Sequence, residues 1–336
     1  MRRFSDLLCP AAAGLYCPPG DFYIDPLRPV ARAVITHGHG DHARPGHDRV
    51  AATPETLAIM AARYGEDFAR GREPIAYGQS IARNGVTVTL LPAGHVLGSA
   101  QVLIGWNGMT AAVSGDYKRR RDPTCRPFEP AACHLFVSEA TFGLPVFVHP
   151  PDGEEVAKLL QSVRQFPERT HLVGAYALGK AQRLICLLRE AGYDDTLYMH
   201  GALASMNALY ERHGIALGAL APATEAKDKL AGRIVLAPPS AIADKWSRRF
   251  ADPLPVMASG WMRVRARARQ RHVELPLILS DHADWNELTA TIGELRPEQL
   301  WITHGAEDAL LRWSALSGID AKALSLAGYD EEEGES

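Results

Sequence analysis

Residues 33–42 read Ala33-Val34-Ile35-Thr36-His37-Gly38-His39-Gly40-Asp41-His42. A short apolar run with β-branched residues, the pattern of a buried strand, leads directly into three histidines and an aspartate within six residues. In extended or turning backbone, positions i and i+2 point the same way, so His37 and His39 can hold one cation. Asp41 and His42 lie on the following turn and can reach a second. Imidazole and carboxylate at this density suit zinc or manganese. A surface loop that merely happens to be histidine-rich would lack the strand leading into it. The segment therefore points to a metal-dependent hydrolase with its site at the edge of a sheet.

The same arrangement recurs along the chain. A strand expected over 86–91 runs into Gly94-His95, with Gly98-Ser99 following. Strands over 101–106 and 109–114 flank Asn107-Gly108, a type I′ hairpin signal, and end at Gly115-Asp116. A strand over 135–138 ends at Glu139; strands over 277–280 and 300–303 end near His282 and at His304. Taken singly, His95 reads as a satisfied loop histidine and Asp116 as a turn former. Taken together they supply a site, and a carboxylate such as Asp116 can bridge two cations about 3.5–4 Å apart. Thr53-Pro54 starts a helix expected over 54–64, with Thr53 as N-cap.

Between these motifs the texture changes. From Pro150 onward, helices over 156–166, 180–191 and 202–213 alternate with strands over 172–176, 196–199 and 234–236, the pattern of a parallel α/β unit. Strands ending at histidines resume only after residue 272, so the middle segment is expected to be an insertion.

Composition sets the outer bounds. With 336 residues, 46% hydrophobic and 22% charged, the chain can bury a sizeable core in two domains. Its net charge of -3 excludes a globally basic nucleic-acid binder and leaves local patches. Five cysteines without a C-x-x-C pair argue against a disulfide framework or a cysteine zinc site. Their implied reduced state, the lack of an apolar leader and of an 18-residue apolar run lead to the expectation of a cytoplasmic protein without a membrane partner. The acidic run at 330–335 reads as a frayed, solvated terminus.

The order His37-x-His39-x-Asp41-His42, His95, Asp116 resembles the metallo-β-lactamase superfamily. Asp25, in Phe22-Tyr23-Ile24-Asp25, resembles that family's first motif, a carboxylate behind the metal ligands that orients them. Ser138-Glu139-Ala140-Thr141-Phe142-Gly143, Ser280-Asp281-His282-Ala283-Asp284 and Thr303-His304-Gly305 resemble motifs A, B and C of the β-CASP nucleases. Residues 174–182 resemble a loop of the β-CASP domain, and Leu15-Tyr16-Cys17-Pro18-Pro19-Gly20 and Trp261-Met262-Arg263-Val264-Arg265 resemble the bacterial ligase-associated DNA exonucleases. The resemblance implies an α/β fold: an αββα sandwich from residues 1–147 and 273–336, with a β-CASP α/β domain inserted over 148–272.

It also implies the chemistry. One metal would be held by His37, His39, His95 and Asp116, and a second by Asp41, His42, Asp116 and His304. His282 would be the general acid, oriented by Glu139, with Asp41 among the catalytic residues. The expected activity is DNA exonuclease action in repair, with 5′→3′ polarity and two zinc or manganese ions, in association with an ATP-dependent DNA ligase and a helicase. His304 stands where Artemis-like DNA nucleases usually have valine and RNase J has histidine, so an RNA exo- or endonuclease is the alternative. A non-catalytic nucleic-acid scaffold is disfavoured because every expected ligand position is filled. A small-molecule hydrolase is disfavoured by the insertion.

For substrate grip, Lys118-Arg119-Arg120-Arg121 follows Asp116, and Lys180 and Ser280 sit in the resembling motifs. Arg263, Arg265, Arg267, Arg269 and Arg271 recur with period two; an extended run puts all five on one face against phosphates, whereas a helix spreads them around its axis. The extended arrangement is favoured slightly. Tyr176 and Trp261 are assigned to packing ahead of base stacking, and Gly179-Lys180 lacks the spacing of an ATP-binding phosphate loop.

Overall fold

The computed structural model describes residues 3–226 and 230–324; the acidic run at 330–335 lies outside them. The chain divides into two compact units. One holds the described residues up to Val146 and from His282 onward, the other Phe147–Asp281.

The first unit contains two mixed sheets. In one, six strands lie in chain order: Cys9–Ala11, Gly14–Cys17, Phe22–Ile24, Arg32–Val34, His47–Ala52 and Ala69–Pro74. The last four of these run parallel. The other sheet runs Ala321–Ala323, Gln299–Gly305, Leu135–Ala140, Met109–Val113, Ala100–Trp106, Val86–Pro92, Ser80–Arg83. Its first four strands are parallel and the rest antiparallel.

Period-two alternation decides what each face meets. Val34 and Ala51 of the first sheet join Val88, Val102, Val113, Val137 and Trp301 of the second in one hydrophobic cluster. Their neighbours Ala33, Val50 and Ala52 face the other way, onto Leu57 and Met60 of the helix Pro54–Tyr64. On the second sheet, Ala112, Phe136, Leu300 and Ile302 turn toward Leu288 and Ile292 of the helix Trp285–Leu295 and Leu310 of the helix Glu307–Leu316. Each fully buried aliphatic or aromatic side chain contributes about 1.5–3 kcal/mol, so a one-residue register slip, which exchanges the faces, would expose both sets.

Local signals fix the ends of these elements. The helix begins at Pro54 because Thr53 accepts a hydrogen bond from the Thr56 N–H. The hairpin between Ala100–Trp106 and Met109–Val113 turns at Asn107 and Gly108, both with positive φ (46° and 73°). All five cysteines are free thiols. Among the described residues, no helix is long and apolar enough to cross a membrane.

The second unit is built on one all-parallel sheet, ordered Leu220–Pro222, Leu197–Met199, Ile234–Ala237, Thr170–Gly174, Pro253–Ala258, Leu275–Leu277. Strands Thr170–Gly174 and Ile234–Ala237 are buried at every position, as expected for central parallel strands packed on both faces. The helices Asp152–Gln165, Lys180–Glu190 and Ala204–Arg212 belong to this unit.

The arginine-rich stretch departs from the slightly favoured extended conformation. Gly260–Arg263 is a 3-10 turn and Arg265–Gln270 an α-helix, so period two no longer gathers the guanidiniums on one face. Ala268 on that helix joins the apolar cluster of Met257 and Met262, and this packing turns the segment helical. Arg263 and Arg265 are exposed, Arg267 lies over the Trp261 ring at 4.2 Å, and Trp261 meets Phe147 edge-on.

Candidate metal centre

Five strand ends of the first unit converge on one cluster. His37, His39, Asp41 and His42 follow the strand Arg32–Val34, His95 follows Val86–Pro92, and Asp116 follows Met109–Val113. Glu139 is the penultimate residue of the strand Leu135–Ala140, and His304 that of the strand Gln299–Gly305. His282 comes from the segment ahead of the helix Trp285–Leu295.

The centre of the cluster is Asp116. Its Oδ2 lies 3.3 Å from His37 Nε2, 3.5 Å from His42 Nε2 and 3.7 Å from His95 Nε2. Ligand atoms of His37, His39, His95 and Asp116 fall within 4.8 Å of one another, and so do those of His42, Asp116 and His304. Asp116 is common to both sets. Bonds of ~2.0–2.1 Å in a tetrahedron put ligand atoms roughly 3.3 Å apart, the spacing found here. Asp41 stands beside the second set, its Oδ2 3.4 Å from His42 Nε2.

Buried polar atoms without hydrogen bonds are rare in folded proteins. His37 Nε2 and Asp41 Oδ1 are two of them, both within this cluster. Burial, reinforced by the neighbouring His42, holds the His37 pKa well below the usual imidazole value, and burial takes His304 down to about 3. Both are thus neutral and carry a lone pair, the form a cation binds. Burial would lower His42 too, but the carboxylates of Asp116, Asp41 and Asp25 outweigh it and raise His42 well above the usual value. Burial would raise Asp41, yet His42 and His39 hold it below the usual carboxylate range. The donor set, its spacing and its orphaned atoms fit divalent metal ions.

Behind the cluster, Asp25 Oδ2 lies 2.7 Å from His42 Nδ1, and its two oxygens accept from the Thr36 N–H (2.8 Å) and hydroxyl (2.6 Å). The Thr36 hydroxyl has one proton, which goes to Asp25. It therefore accepts from His37 Nδ1 at 3.0 Å, leaving His37 Nε2 unprotonated toward Asp116. Gly115 (φ 56°) admits this contact, since a Cβ there would stand 2.7 Å from the Thr36 Cβ. Glu139 holds the other flank. Its Oε2 lies 2.9 Å from His282 Nδ1 and accepts from the Thr141 hydroxyl (2.6 Å), and its Oε1 accepts from the Tyr117 N–H (2.6 Å). Thr36 and Thr141 were not singled out by the sequence patterns, because only their hydroxyl partners reveal them.

Lys118 does not reach outward to a substrate. It is 1% exposed, and its Nζ donates to the His282 carbonyl (3.0 Å) and to Glu287 Oε2 (2.9 Å). Glu287 Oε1 accepts from the backbone N–H groups of Arg119 and Arg120, and the Arg120 guanidinium donates to Asp284. The basic run after Asp116 is therefore a strap that ties the Asp116 loop to the His282 loop. A sequence signal existed in Asp284-x-x-Glu287, the capping box that starts the helix Trp285–Leu295. In the second unit, Lys180 is 4% exposed, with Asp281 Oδ1 3.1 Å away and the Tyr176 ring below it at 4.6 Å, and Ser280 is buried.

A mixed α/β fold that gathers imidazoles and carboxylates at its strand ends supplies the donor set that a metallo-hydrolase needs. Residues 264–323 match the family described as "Zn-dependent metallo-hydrolase RNA specificity domain". A protein named "Probable DNA ligase" from Opitutus terrae is 29% identical over 322 residues, 93% of this chain and 30% of that protein. Cleavage and polyadenylation specificity factor subunit 3 of Dictyostelium discoideum is 36% identical over 122 residues, 35% of this chain and 16% of its own length. Endoribonuclease ysh1 of Aspergillus fumigatus is 35% identical over 123 residues, 14% of its length. A crystal structure of a protein of unknown function from Enterococcus faecalis shares the fold at TM-score 0.58 and 17% identity, over 82% of this chain and 76% of that one. The chain is thus similar to metallo-hydrolases and to nucleases that process nucleic acid. It spans about a third or less of the length of these curated relatives.

Proposed function

We propose that this chain is a DNA exonuclease that hydrolyses phosphodiester bonds at a two-metal centre, working from the 5′ end in DNA repair. The observation that carries this is the position of the Asp116 carboxylate, shared by two donor sets and flanked by the His282–Glu139 pair. We read the helix-flanked pair of sheets as the αββα sandwich of the metallo-β-lactamases and Phe147–Asp281 as the β-CASP insertion.

His37, His39, His95 and Asp116 would hold one ion; Asp41, His42, Asp116 and His304 would hold the other. Two divalent ions, zinc or manganese, would acidify a water and offset charge on the phosphate oxygens. His282, its Nδ1 fixed by Glu139, delivers a proton from its other ring nitrogen to the leaving oxygen. Glu139, anchored by Thr141 and the Tyr117 N–H, accepts from Nδ1–H and stabilises the doubly protonated imidazolium, whose second proton, on Nε2, is the one delivered. Asp25 and Thr36 keep His42 and His37 aimed at Asp116.

The ligase-named relative, which matches 93% of this chain, supports DNA as substrate and a ligase as functional partner. The RNA reading rests on the RNA-specificity family match at 264–323 and on the endoribonucleases, whose matches cover 35% of the chain. End-labelled single- and double-stranded DNA and RNA of one sequence, incubated with zinc, manganese or magnesium, distinguish the two. The expected result is DNA shortened progressively from its 5′ end. Faster loss of RNA would transfer the assignment to RNA, and no cleavage of any substrate would overturn the enzyme reading.

A further inference from the structure

The first unit holds a second polar cavity, of about 240 Å³, that the metal centre does not use. Arg32, Arg49 and Arg83 line it, from three different strands or strand ends, above a floor that includes Phe22, Val34 and Val88. Those three floor residues belong to the hydrophobic cluster shared by the two sheets, so the cavity reaches from a charged mouth to apolar core. Arg32 opens the strand whose far end leads to His37, five residues on, which places the mouth roughly 16 Å from the metal ligands at ~3.3 Å per residue.

The charges at the mouth do not balance. Arg32 is paired with Asp21 and Arg83 with Glu73. Arg49 makes no ion pair or side-chain hydrogen bond among the described residues. The two existing pairs are a third or more exposed, and such pairs are weak enough to exchange partners. Three guanidiniums against one carboxylate, Glu73, line a cavity with Phe22, Val34 and Val88 also in its wall, a surplus of positive charge suited to an anion that accepts several N–H donors at once and carries an apolar body.

We infer that this cavity is a binding site for a phosphate monoester with an aromatic or other apolar body, held by Arg49 together with Arg32 and Arg83. The phosphate sits against the guanidiniums, and the body enters the recess over Phe22 and Val88. A small aryl phosphate and a nucleoside monophosphate share this chemistry, and both are titrated to tell the sources apart.

The test is calorimetric titration of the full chain with phenyl phosphate, AMP, inorganic phosphate and phenol. Saturable binding of phenyl phosphate or AMP is expected, with weaker binding of inorganic phosphate and none of phenol. Arg49→Gln should weaken it about tenfold or more, the loss of one charge-assisted contact, while Arg49→Lys restores part. Nuclease activity should stay unchanged in both variants. Asp116→Asn, which disables the metal centre, should bind as the parent does, so failure of the nuclease reading leaves this result standing. Absence of saturation, equal affinity in Arg49→Gln, or loss of binding in Asp116→Asn would each overturn the proposal, the last by moving the phosphate to the metal centre.

Discussion

Two buried polar networks lie side by side in the first unit, and they are built on opposite terms. In the strap, Lys118, Glu287, Arg120 and Asp284 saturate one another: both Glu287 oxygens accept hydrogen bonds, and Lys118 Nζ donates to Glu287 and to the His282 carbonyl. In the cluster, His37 Nε2 and Asp41 Oδ1 are buried without hydrogen bonds, and three imidazoles lie within 3.7 Å of one carboxylate oxygen. Burial of polar groups is tolerated where they are satisfied and costs free energy where they are not. The saturated network is therefore scaffold. The unsaturated one is completed by a ligand, and its donors choose cations.

The contrast is broken most severely at His282, which both networks touch: Glu139 holds its ring and Lys118 its carbonyl. His282→Ala should cost on the order of 10²–10⁴-fold in cleavage rate, the usual contribution of a general acid, with metal content unchanged. Loss of metal in that variant would instead make His282 a ligand.

Lys118→Met tests the scaffold side. It leaves Glu287 buried without its ammonium partner, and a denaturant titration should read a loss of ~3–5 kcal/mol. The same pair sets an acid limit. Burial would raise Glu287, but Lys118 and the Asp284 and Arg120 N–H groups outweigh it and bring its pKa from 4.5 to about 2. A depressed carboxylate stabilises fully above its unfolded value. The contribution is thus complete above pH 4.5 and lost as pH falls toward 2. Unfolding curves of Lys118→Met should lose part of that acid dependence.

Asp25→Asn sharpens the comparison from behind the cluster. It weakens the acceptor for His42 Nδ1 and Thr36, and metal affinity should fall about 10–100-fold while the fold persists. The smallest effect is expected at Arg265, exposed on its helix. Arg265→Ala should change stability by no more than ~0.5 kcal/mol. It should change the salt slope of DNA binding by at most about one charge, as suits a residue outside any guanidinium stripe.

The same contrast explains what could be read in the sequence. Donors at strand ends were legible because a strand fixes where its last residues point. His37, His95, Asp116 and His304 each follow or end a short apolar run, and the structure brings them together. The helix Pro54–Tyr64 and the Asn107-Gly108 turn were legible for a similar reason, as their signals act within four residues. Lys118 and the arginines of 263–271 were not. Long flexible side chains take whichever carboxylate the tertiary fold offers, and period two distinguishes strand from helix only when apolar residues carry it. Thr36 and Thr141 escaped for a third reason: a threonine is informative only once its hydroxyl partner is known.

The most direct test of the shared-carboxylate account is metal content, measured by plasma mass spectrometry on the purified chain and on Asp116→Ala. Two divalent ions per chain are predicted for the parent, with both occupancies falling together in the variant while circular dichroism stays unchanged. A single ion in the parent, or retention of both in Asp116→Ala, would contradict it.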